Sequence, residues 1–402
     1  MKKVLWLFSM VICISFDLNA QADVEKKIQT DLILAEDGDV VNLDGGVFSI
    51  TKSLSLDGKK NIVIRGKGID KTILTFKDQT SGAEGIRVSN CENIILEDMT
   101  VQDSKGDLIK TMHVKGITFR RIKAEWTGKP DEKNGGYALY PVQCENVMID
   151  SCIAIGASDA GIYVGQSKYI VVKNCTAYNN VAGIEIENSL YADVYNNLAT
   201  GNTGGILVFD LPGLIQKQGG YVSVHNNIIK ENNLSNFAPK GNIVAKVPKG
   251  TGVMLLAASH VEVFNNEIIN NSTMGVGIIS YYITENKFKD KQYNPYPSAI
   301  AVHDNTFERK KRKVPMEGRF AQIYHFKLKF GRNVPHIVYD GIINPKYRDA
   351  AGNVKPEYMI CIQNNKNQSF ANIDADNDFK NISRDVTPFN CTLAPIALNN
   401  KK

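Results

Sequence analysis

Several patterns that mark other classes of protein are missing from this sequence of 402 residues. Beyond the first 20 residues, no stretch approaches the roughly 20 consecutive apolar residues that a membrane-spanning helix needs. We therefore expect no membrane insertion of the mature chain. The seven cysteines include no Cys-x-x-Cys pair, and no histidine joins them at ligand spacing, which argues against a zinc site. No metal or other cofactor is predicted.

Charge and leucine spacing argue against two further classes. The formal net charge of +5 is a small excess for a chain of this size, so it permits an acidic partner without requiring one. The basic run at residues 309–313 contains no interleaved aromatic residue, which favours a solvated loop, and we predict no nucleic-acid partner. The leucines at fixed offsets that define a leucine-rich repeat are also missing.

The first 20 residues have the features of a secretory signal peptide. Lys2 and Lys3 precede an apolar run from Val4 to Phe16, and Leu18-Asn19-Ala20 gives a small-x-small-like cleavage end. The sequence therefore predicts that residues 1–20 are removed and that the mature chain is periplasmic or secreted.

What the sequence does contain is a repeat. A nine-residue frame appears as NVMIDSCIA, YIVVKNCTA and YADVYNNLA, with an aliphatic residue at its fourth position and a small or amide residue at its sixth. The basic period is 22–23 residues with insertions, which is typical of a solenoid whose repeats bury their apolar faces against each other. The clearest frames begin at residues 146, 169, 191, 221, 260 and 299.

Each repeat is expected to contain at least two short strands. Apolar and polar residues alternate within the frame, which is the period of a strand. A second strand, with sequences such as GIYVG and GIEIE, follows in the other half of each repeat, and Asn, Gly and Ser occupy the corners. These features predict an all-β fold, a single-stranded parallel β-helix solenoid.

Both ends of the chain depart from the repeat. Val24, Ile28 and Leu32 fall on one helical face, which predicts a short helix that caps the first coil. After residue 307 the frame is lost, and six of the 13 prolines occur there. We predict a parallel β-helix over residues 21–307, and closing coils with an irregular C-terminal cap over residues 308–402.

The sixth position of the frame predicts a stabilising ladder, because side-chain amides on strands ~4.8 Å apart can bond one another. This position is occupied by Asn174, Asn196, Asn226 and Asn265. Cys152 and Cys175 lie in the adjacent column and are expected to be buried.

The repeat resembles the right-handed parallel β-helix superfamily. Its pattern, (V/I)x(V/I)xNN(x)I followed by GGIxV, is similar to that of pectate-lyase-like enzymes and of alginate C5-epimerases and lyases. It resembles most closely a bacterial exported family of two-copy parallel β-helix repeat proteins. The resemblance covers roughly residues 40–307. It implies a right-handed coil and an envelope location, and it implies no settled activity.

Candidate functional residues lie on the outward side of the second strand. Alignment of the coils places one outward residue from each of five successive coils in a single column, with neighbours ~4.8 Å apart. The column consists of Arg87, Lys110, Tyr140, Tyr163 and Glu185. Glu187 lies two residues further along its strand and is predicted to bind substrate. An alternative interpretation is a solvated face whose charges pair and whose tyrosines cover the sheet.

These residue types suit chemistry on a uronate polysaccharide. Arg87 would bind the sugar carboxylate, and Lys110 or Tyr140 would remove the C5 proton. Tyr163 and Glu185 would supply the acid and its orientation. Elimination of the lyase type is favoured over epimerisation, because the Asp-Pro-His-Asp-like motif of the resembled epimerases is missing.

Other readings remain open at this point. Glu185, Glu187 and Asp210 would also suit a glycoside hydrolase, which needs clustered carboxylates. Trp126 lies in a Gly-rich insertion and is predicted to stack on substrate, with packing against the coil as the alternative. A non-catalytic protein whose long face binds glycan or a cell-envelope partner protein is the second functional class.

The tail contains the predicted disulfide. Cys361 and Cys391 stand apart from the cysteines of the repeats, and an oxidising compartment permits them to pair. Cys91 and Cys144 are predicted to be unpaired.

Overall fold

The computed structural model describes residues 23–310, 315, 323, 328 and 330–398. The predicted leader and residues 311–313 of the basic run lie outside the described residues. Within them, parallel strands form two sheets of 19 and 11 strands, here called sheet A and sheet B. No helix of this part of the chain is long and apolar enough to span a membrane.

Most coils add two strands to sheet A and one to sheet B. The strands of sheet A are β1 (Val40–Asn42), β2 (Gly46–Ser49), β4 (Val63–Arg65), β5 (Thr72–Thr75), β7 (Glu92–Gln102), β9 (Lys115–Glu125), β11 (Glu145–Asp150), β12 (Ile153–Ile155), β14 (Lys168–Lys173), β15 (Thr176–Tyr178), β17 (Leu190–Tyr195), β18 (Leu198–Thr200), β20 (Gly220–His225), β21 (Ile228–Lys230), β23 (Ser259–Phe264), β24 (Glu267–Ile269), β26 (Ser298–His303), β27 (Thr306–Glu308) and β29 (Ile360–Gln363). The strands of sheet B are β3 (Lys52–Asp57), β6 (Ser81–Ser89), β8 (Ile109–Met112), β10 (Tyr137–Val142), β13 (Ala160–Gly165), β16 (Ala182–Glu187), β19 (Gly204–Phe209), β22 (Thr251–Leu256), β25 (Met274–Ile279), β28 (Ile337–Tyr339) and β30 (Phe370–Asn372).

The core fills the inside of the coil. Alternation along each strand turns aliphatic side chains inward, and parallel pairing stacks like residues, as in the match of Ile162 with Ile184. Both of these side chains are fully buried. The predicted parallel β-helix is confirmed, and each coil buries its apolar side against the coils before and after it.

Helices occur at the start of the described residues and in the connections. Helix α1 covers residues 23–34 and buries Ile28 and Leu32 in the core, which confirms the predicted N-terminal cap. The Glu25 carboxylate accepts hydrogen bonds from the backbone N–H and hydroxyl of Thr51, which ties the cap to the first coil. Short 3-10 helices lie at Ile243–Lys246, Tyr281–Thr284, Pro345–Tyr347, Pro356–Tyr358, Ala375–Asn377 and Thr387–Phe389.

The asparagine ladder lies one residue later than predicted. Asn196 is exposed and has the left-handed backbone of the corner, with φ near 55°. This turn interrupts the alternation and points Asn197 inward, where its amide donates to Asn227 Oδ1 at 3.0 Å. The buried ladder consists of Asn197, Asn227, Asn266, Asn305 and Asn365. A second ladder, at the next corner, consists of Asn180, Asn202, Asn232 and Asn271.

The cysteines of the coils are buried and free, and those of the tail are bonded. Cys152 and Cys175 precede the amides in the first ladder, and Cys175 N–H donates to Asn197 Oδ1. Cys361 and Cys391 form a disulfide with an S–S distance of 2.03 Å.

Three long connections cover the C-terminal part of sheet B. We call residues 210–219, 231–250 and 280–297 the covering segments. Val244 and Val247 pack in an apolar cluster with Tyr163 and Leu207 of the sheet. The covering segments are also bonded to one another, because Lys217 pairs with Asp290 and Gln218 donates to Gln292 O.

Candidate functional site

The outward column of sheet B is present in the order expected from the sequence. Arg87 pairs with Lys110, and Lys110 with Tyr140. Tyr163 pairs with Glu185 one coil after Tyr140. The parallel register therefore brings five side chains from five coils onto one line of the surface.

The covering segments divide this line into an open half and a covered half. Arg87 is exposed, and the Lys110 side chain is 24% exposed. By contrast, Tyr163 and Glu185 are only 4% and 1% exposed. A sugar on the surface cannot touch Tyr163 or Glu185 while the covering segments are in place. The structure therefore contradicts the predicted direct roles of these two residues as the acid and its orienting group.

The geometry also argues against the bases expected from the sequence. The Lys110 ammonium lies 3.8 Å from carboxylate oxygens of both Glu84 and Asp107, and 4.8 Å from the centre of the Tyr140 ring. These contacts engage the Lys110 side chain with protein groups, so it is not directed at a substrate. Burial raises the pKa of Tyr140 to about 12, so its phenolate is scarce near neutrality. Neither side chain is a suitable base here.

Trp126 is not a surface platform. Its indole is 5% exposed and belongs to the core, and Nε1 donates to Ser104 O at 2.9 Å. The predicted stacking of Trp126 on substrate is therefore wrong, and the side chain instead fixes the insertion at residues 125–135 to the coil.

Three carboxyl groups meet where the open half ends. Asp159 lies directly before β13, and Glu185 and Glu187 lie on β16 in the next coil. They are 8%, 1% and 8% exposed, and none forms an ion pair with another residue that the structure describes. We call these three residues the carboxyl cluster.

Neutral donors contact two members of the cluster. Tyr163 Oη donates to Glu187 Oε1 at 2.7 Å, and Asn242 Nδ2 donates to Asp159 Oδ2 at 3.2 Å. Glu185 Oε2 is buried and has no hydrogen-bond partner among the described residues. An unpaired carboxylate in this position is costly, which favours the protonated form of Glu185.

Burial and mutual repulsion hold protons on the cluster. Burial, together with the charge of Glu187, raises the pKa of Asp159 to about 7. The pKa of Glu187 is also raised to about 7, chiefly by burial. Burial raises the pKa of Glu185 well above its ordinary value, with Asp159 and Glu187 adding to the effect. Carboxyl groups of this kind remain partly protonated at neutral pH.

Asp107 extends the cluster toward the open half. A Cβ placed on Gly136 would lie 3.6 Å from Asp107 Oδ1 and 3.8 Å from Asp159 Cβ, so both residues border the same small space. Burial raises the pKa of Asp107 to about 6, against the attraction of Lys110. Asp107 was not among the residues predicted from the sequence. A signal was present, because Asp107 and Asp159 each lie shortly before the sheet B strand of their own coil.

The nearby tyrosines do not stack like those on sheet A. Tyr137 lies 4.4 Å from the ring centres of both Tyr140 and Tyr163, at tilts of 44° and 39°. On sheet A, rings of successive coils stack nearly parallel, as in His225 and Phe264 at 14°. Tyr137 was also not predicted from the sequence. Its half-buried ring lies between the open half and the carboxyl cluster.

No three His, Cys, Asp or Glu side chains converge as metal ligands in the described ranges. The site is therefore assembled from carboxyl groups, phenols, one amide and the cations of the open half.

Comparison with known proteins agrees with the parallel coils. The family model described as the right handed beta helix region matches residues 54–213. The chain is a right-handed parallel β-helix. This confirms the superfamily resemblance seen in the sequence, whereas membership of the two-copy exported family stays a prediction.

Part of the chain is similar to proteins named as phage appendage proteins. The chain is 26% identical over 203 aligned residues to the pre-neck appendage protein of Bacillus phage B103. The match covers 42% of this chain and 23% of that protein. It is 27% identical over 219 aligned residues to the pre-neck appendage protein of Bacillus phage phi29. This match covers 51% of this chain and 24% of that protein. The chain therefore spans about a quarter of the length of these relatives.

Solved structures with similar coils are more distant in sequence. The A-module of the mannuronan C-5 epimerase AlgE4 of Azotobacter vinelandii is 16% identical, with a TM-score of 0.46 and coverage of 79% of this chain and 89% of that one. Pectate lyase Pel9A is 12% identical, with a TM-score of 0.41 and coverage of 72% of both chains. At these levels of identity the likeness is one of fold.

Proposed function

We propose that this β-helix binds a polysaccharide on the open half of sheet B and cleaves it by acid–base chemistry at the carboxyl cluster. The observation that carries the proposal is the carboxyl cluster, whose three protonatable groups have no cationic partner among the described residues and lie at the border of an exposed face. Strongly perturbed carboxyl groups of this kind occur preferentially at functional sites. Export by the leader, which brings the chain to extracellular glycans, is part of the proposal.

Asp107 and Asp159 form the acid–base pair. They border one space beside Gly136. The Lys110 ammonium favours the ionised form of Asp107, whereas burial and the charge of Glu187 favour the protonated form of Asp159. Near neutrality Asp159 retains its proton more often and donates it to the glycosidic oxygen. Asp107 ionises first and acts on water or on the anomeric carbon.

The remaining groups support this pair. Glu187 accepts a hydrogen bond from Tyr163, and its charge, whenever it is ionised, adds to the effect of burial in raising the pKa of Asp159. Tyr137 and Tyr140 offer partly exposed ring surface to a sugar, and Arg87 offers hydrogen-bond donors further along the open half.

The charge distribution favours a neutral glycan over a uronate polymer. Glu84, Asp107 and the carboxyl cluster surround the site, and Lys110 is already engaged by two carboxylates. A further anion in this position would be repelled. We therefore propose hydrolysis in place of the elimination that the sequence favoured. The two reactions leave different products, which distinguishes them experimentally.

The test is incubation of the mature chain with neutral polysaccharides (xylan, β-1,3-glucan, dextran) and acidic ones (alginate, polygalacturonate). We expect new reducing ends from a neutral polysaccharide, without any rise in near-ultraviolet absorbance. Absorbance from an acidic polymer, caused by unsaturated uronate, would restore the lyase interpretation. Binding without products from any polymer would leave the non-catalytic envelope protein as the better account.

A further inference from the structure

The outward column continues beyond these five residues along the whole of sheet B. Along it, the side chains change from exposed to buried within one coil. Its first four members are exposed or half-buried, namely Ser55, Arg87, Lys110 and Tyr140. Every later member is buried, namely Tyr163, Glu185, Leu207, Met254, Gly277, Val338 and Ala371. The boundary lies between β10 and β13, which is also where Asp159 is located.

The covering segments form the wall that closes the column, and they are anchored at several points. Asn242 donates to Asp159, and Val244 and Val247 are buried against the sheet. Lys246 Nζ bonds Thr284 O and Asn286 Oδ1, which joins two covering segments to each other. The phenol of Tyr293 donates to Asp210 O at 2.6 Å, so the third segment is held as well. The wall is therefore part of the packed structure.

The insertion at residues 125–135 occupies the side of the site at the start of β10. Trp126 anchors its first part, and Asn134 Nδ2 donates to Gly156 O at 2.7 Å. Ser158 Oγ donates to Asn134 O at 2.8 Å, directly beside Asp159. A glycan at the acid–base pair thus meets protein both ahead of it along the coil axis and on the side where the insertion lies.

The open half is short. Three intervals of ~4.8 Å separate Ser55 from Tyr140, which gives about 15 Å of exposed face before the wall. A polymer that lies along the axis reaches Asp159 only with its end, because its next sugar would collide with Asn242 and Tyr163. From this geometry, and on the basis of the proposed function, we infer that the protein acts at the end of a glycan chain and not at internal bonds.

The experiment uses the mature chain and the polysaccharide that gives products in the panel described above. Hexasaccharides of that glycan, with a fluorescent label at the reducing end, are followed by chromatography beside a cyclised form of the same glycan. We expect products shortened stepwise from one end, and no opening of the cyclic glycan. The viscosity of the polymer should fall slowly compared with the appearance of reducing ends.

Early fragments from the middle of the hexasaccharide, or opening of the cyclic glycan, would overturn the inference and leave the proposed function standing. Failure to form products from any polymer would overturn the proposed function, and the inference with it. The Asn242→Ala variant adds a check on the wall. If this segment sets the boundary, the variant should release a larger share of internal fragments, and an unchanged product pattern would count against Asn242 as its edge.

Discussion

At the scale of single residues, the carboxyl cluster is the feature that the fold alone does not require. Glu185 and Glu187 pair across one coil boundary with Leu207 and Phe209, so apolar side chains fill the same two columns in the next coil. Apolar residues would stabilise these positions, because a buried and unpaired carboxyl group is costly. The acids are therefore best explained by their chemistry and not by the packing of the coil.

The raised pKa values predict a particular dependence of stability on pH. An acid whose pKa is higher in the folded state binds its proton more tightly there, so its stabilising contribution is lost as the pH rises. With unfolded values near 4 and folded values of about 7 for Asp159 and Glu187, the melting temperature should fall between about pH 4 and pH 7.

Calorimetry across this range tests the prediction against the Asp159→Asn/Glu187→Gln variant. We expect the variant to lose less stability over the same interval, by about 2 kcal/mol or more. A wild-type melting temperature that rises from pH 5 to pH 8 relative to the variant would show that the two carboxyls are ionised in the folded chain.

At the scale of elements, the corner of the coil shows what the sequence determines and what it leaves open. The Asn-Asn pair is visible in the repeat, and both residues favour tight turns. Which residue points inward depends on which one adopts the left-handed backbone, and alternation alone does not decide this. The first asparagine takes the turn, as in Asn226 with φ near 54°, so the second forms the ladder.

The two asparagines of one corner should therefore respond differently to substitution. Asn227 accepts from Asn197 and donates to Val194 O and Asn266 Oδ1, so Asn227→Ala leaves several buried groups unpaired. We expect a loss of about 3 kcal/mol. The matched Asn226→Gly variant keeps the left-handed turn and should cost less than about 1 kcal/mol.

Urea unfolding of the two variants measures this difference. Equal losses at the two positions would contradict the assignment of the ladder to the second asparagine.

At the scale of the whole molecule, periodicity predicted the coil and the column from Arg87 to Glu185, because both depend on local alternation and a regular period. The covering segments are insertions without a period, and their path depends on contacts far apart in sequence, such as that of Asn242 with Asp159. The burial of Tyr163 and Glu185 follows from that path. Periodicity therefore predicted which side chains are neighbours in the column, but not which of them are accessible to a ligand.

Stability should also vary along the coil, because each repeat contacts only its neighbours. The disulfide between Cys361 and Cys391 closes a loop near the C-terminal end, and the two cysteines are 30 residues apart in sequence. In the chain-entropy model a loop of that size contributes about 3 kcal/mol. Cys391→Ser should therefore speed amide hydrogen exchange at Ile362 by roughly a hundredfold, since 1.4 kcal/mol corresponds to a factor of ten.

Exchange of β13 in the same sample is the internal control and should be unchanged. Equal acceleration in β13 and at Ile362 would show that the coil unfolds as a single cooperative unit.

The most direct test of the proposed site is the rate of glycan cleavage by the Asp159→Asn variant across the pH range. Asp150→Asn is the matched control, because Asp150 lies on sheet A and contacts Lys173, Asn174 and Ser151 away from the site. Loss of a general acid predicts a fall of about 100-fold or more for Asp159→Asn, with loss of the limb of the pH profile near 7, and an unchanged rate for Asp150→Asn. An Asp159→Asn variant that folds and cleaves at the wild-type rate would contradict the account.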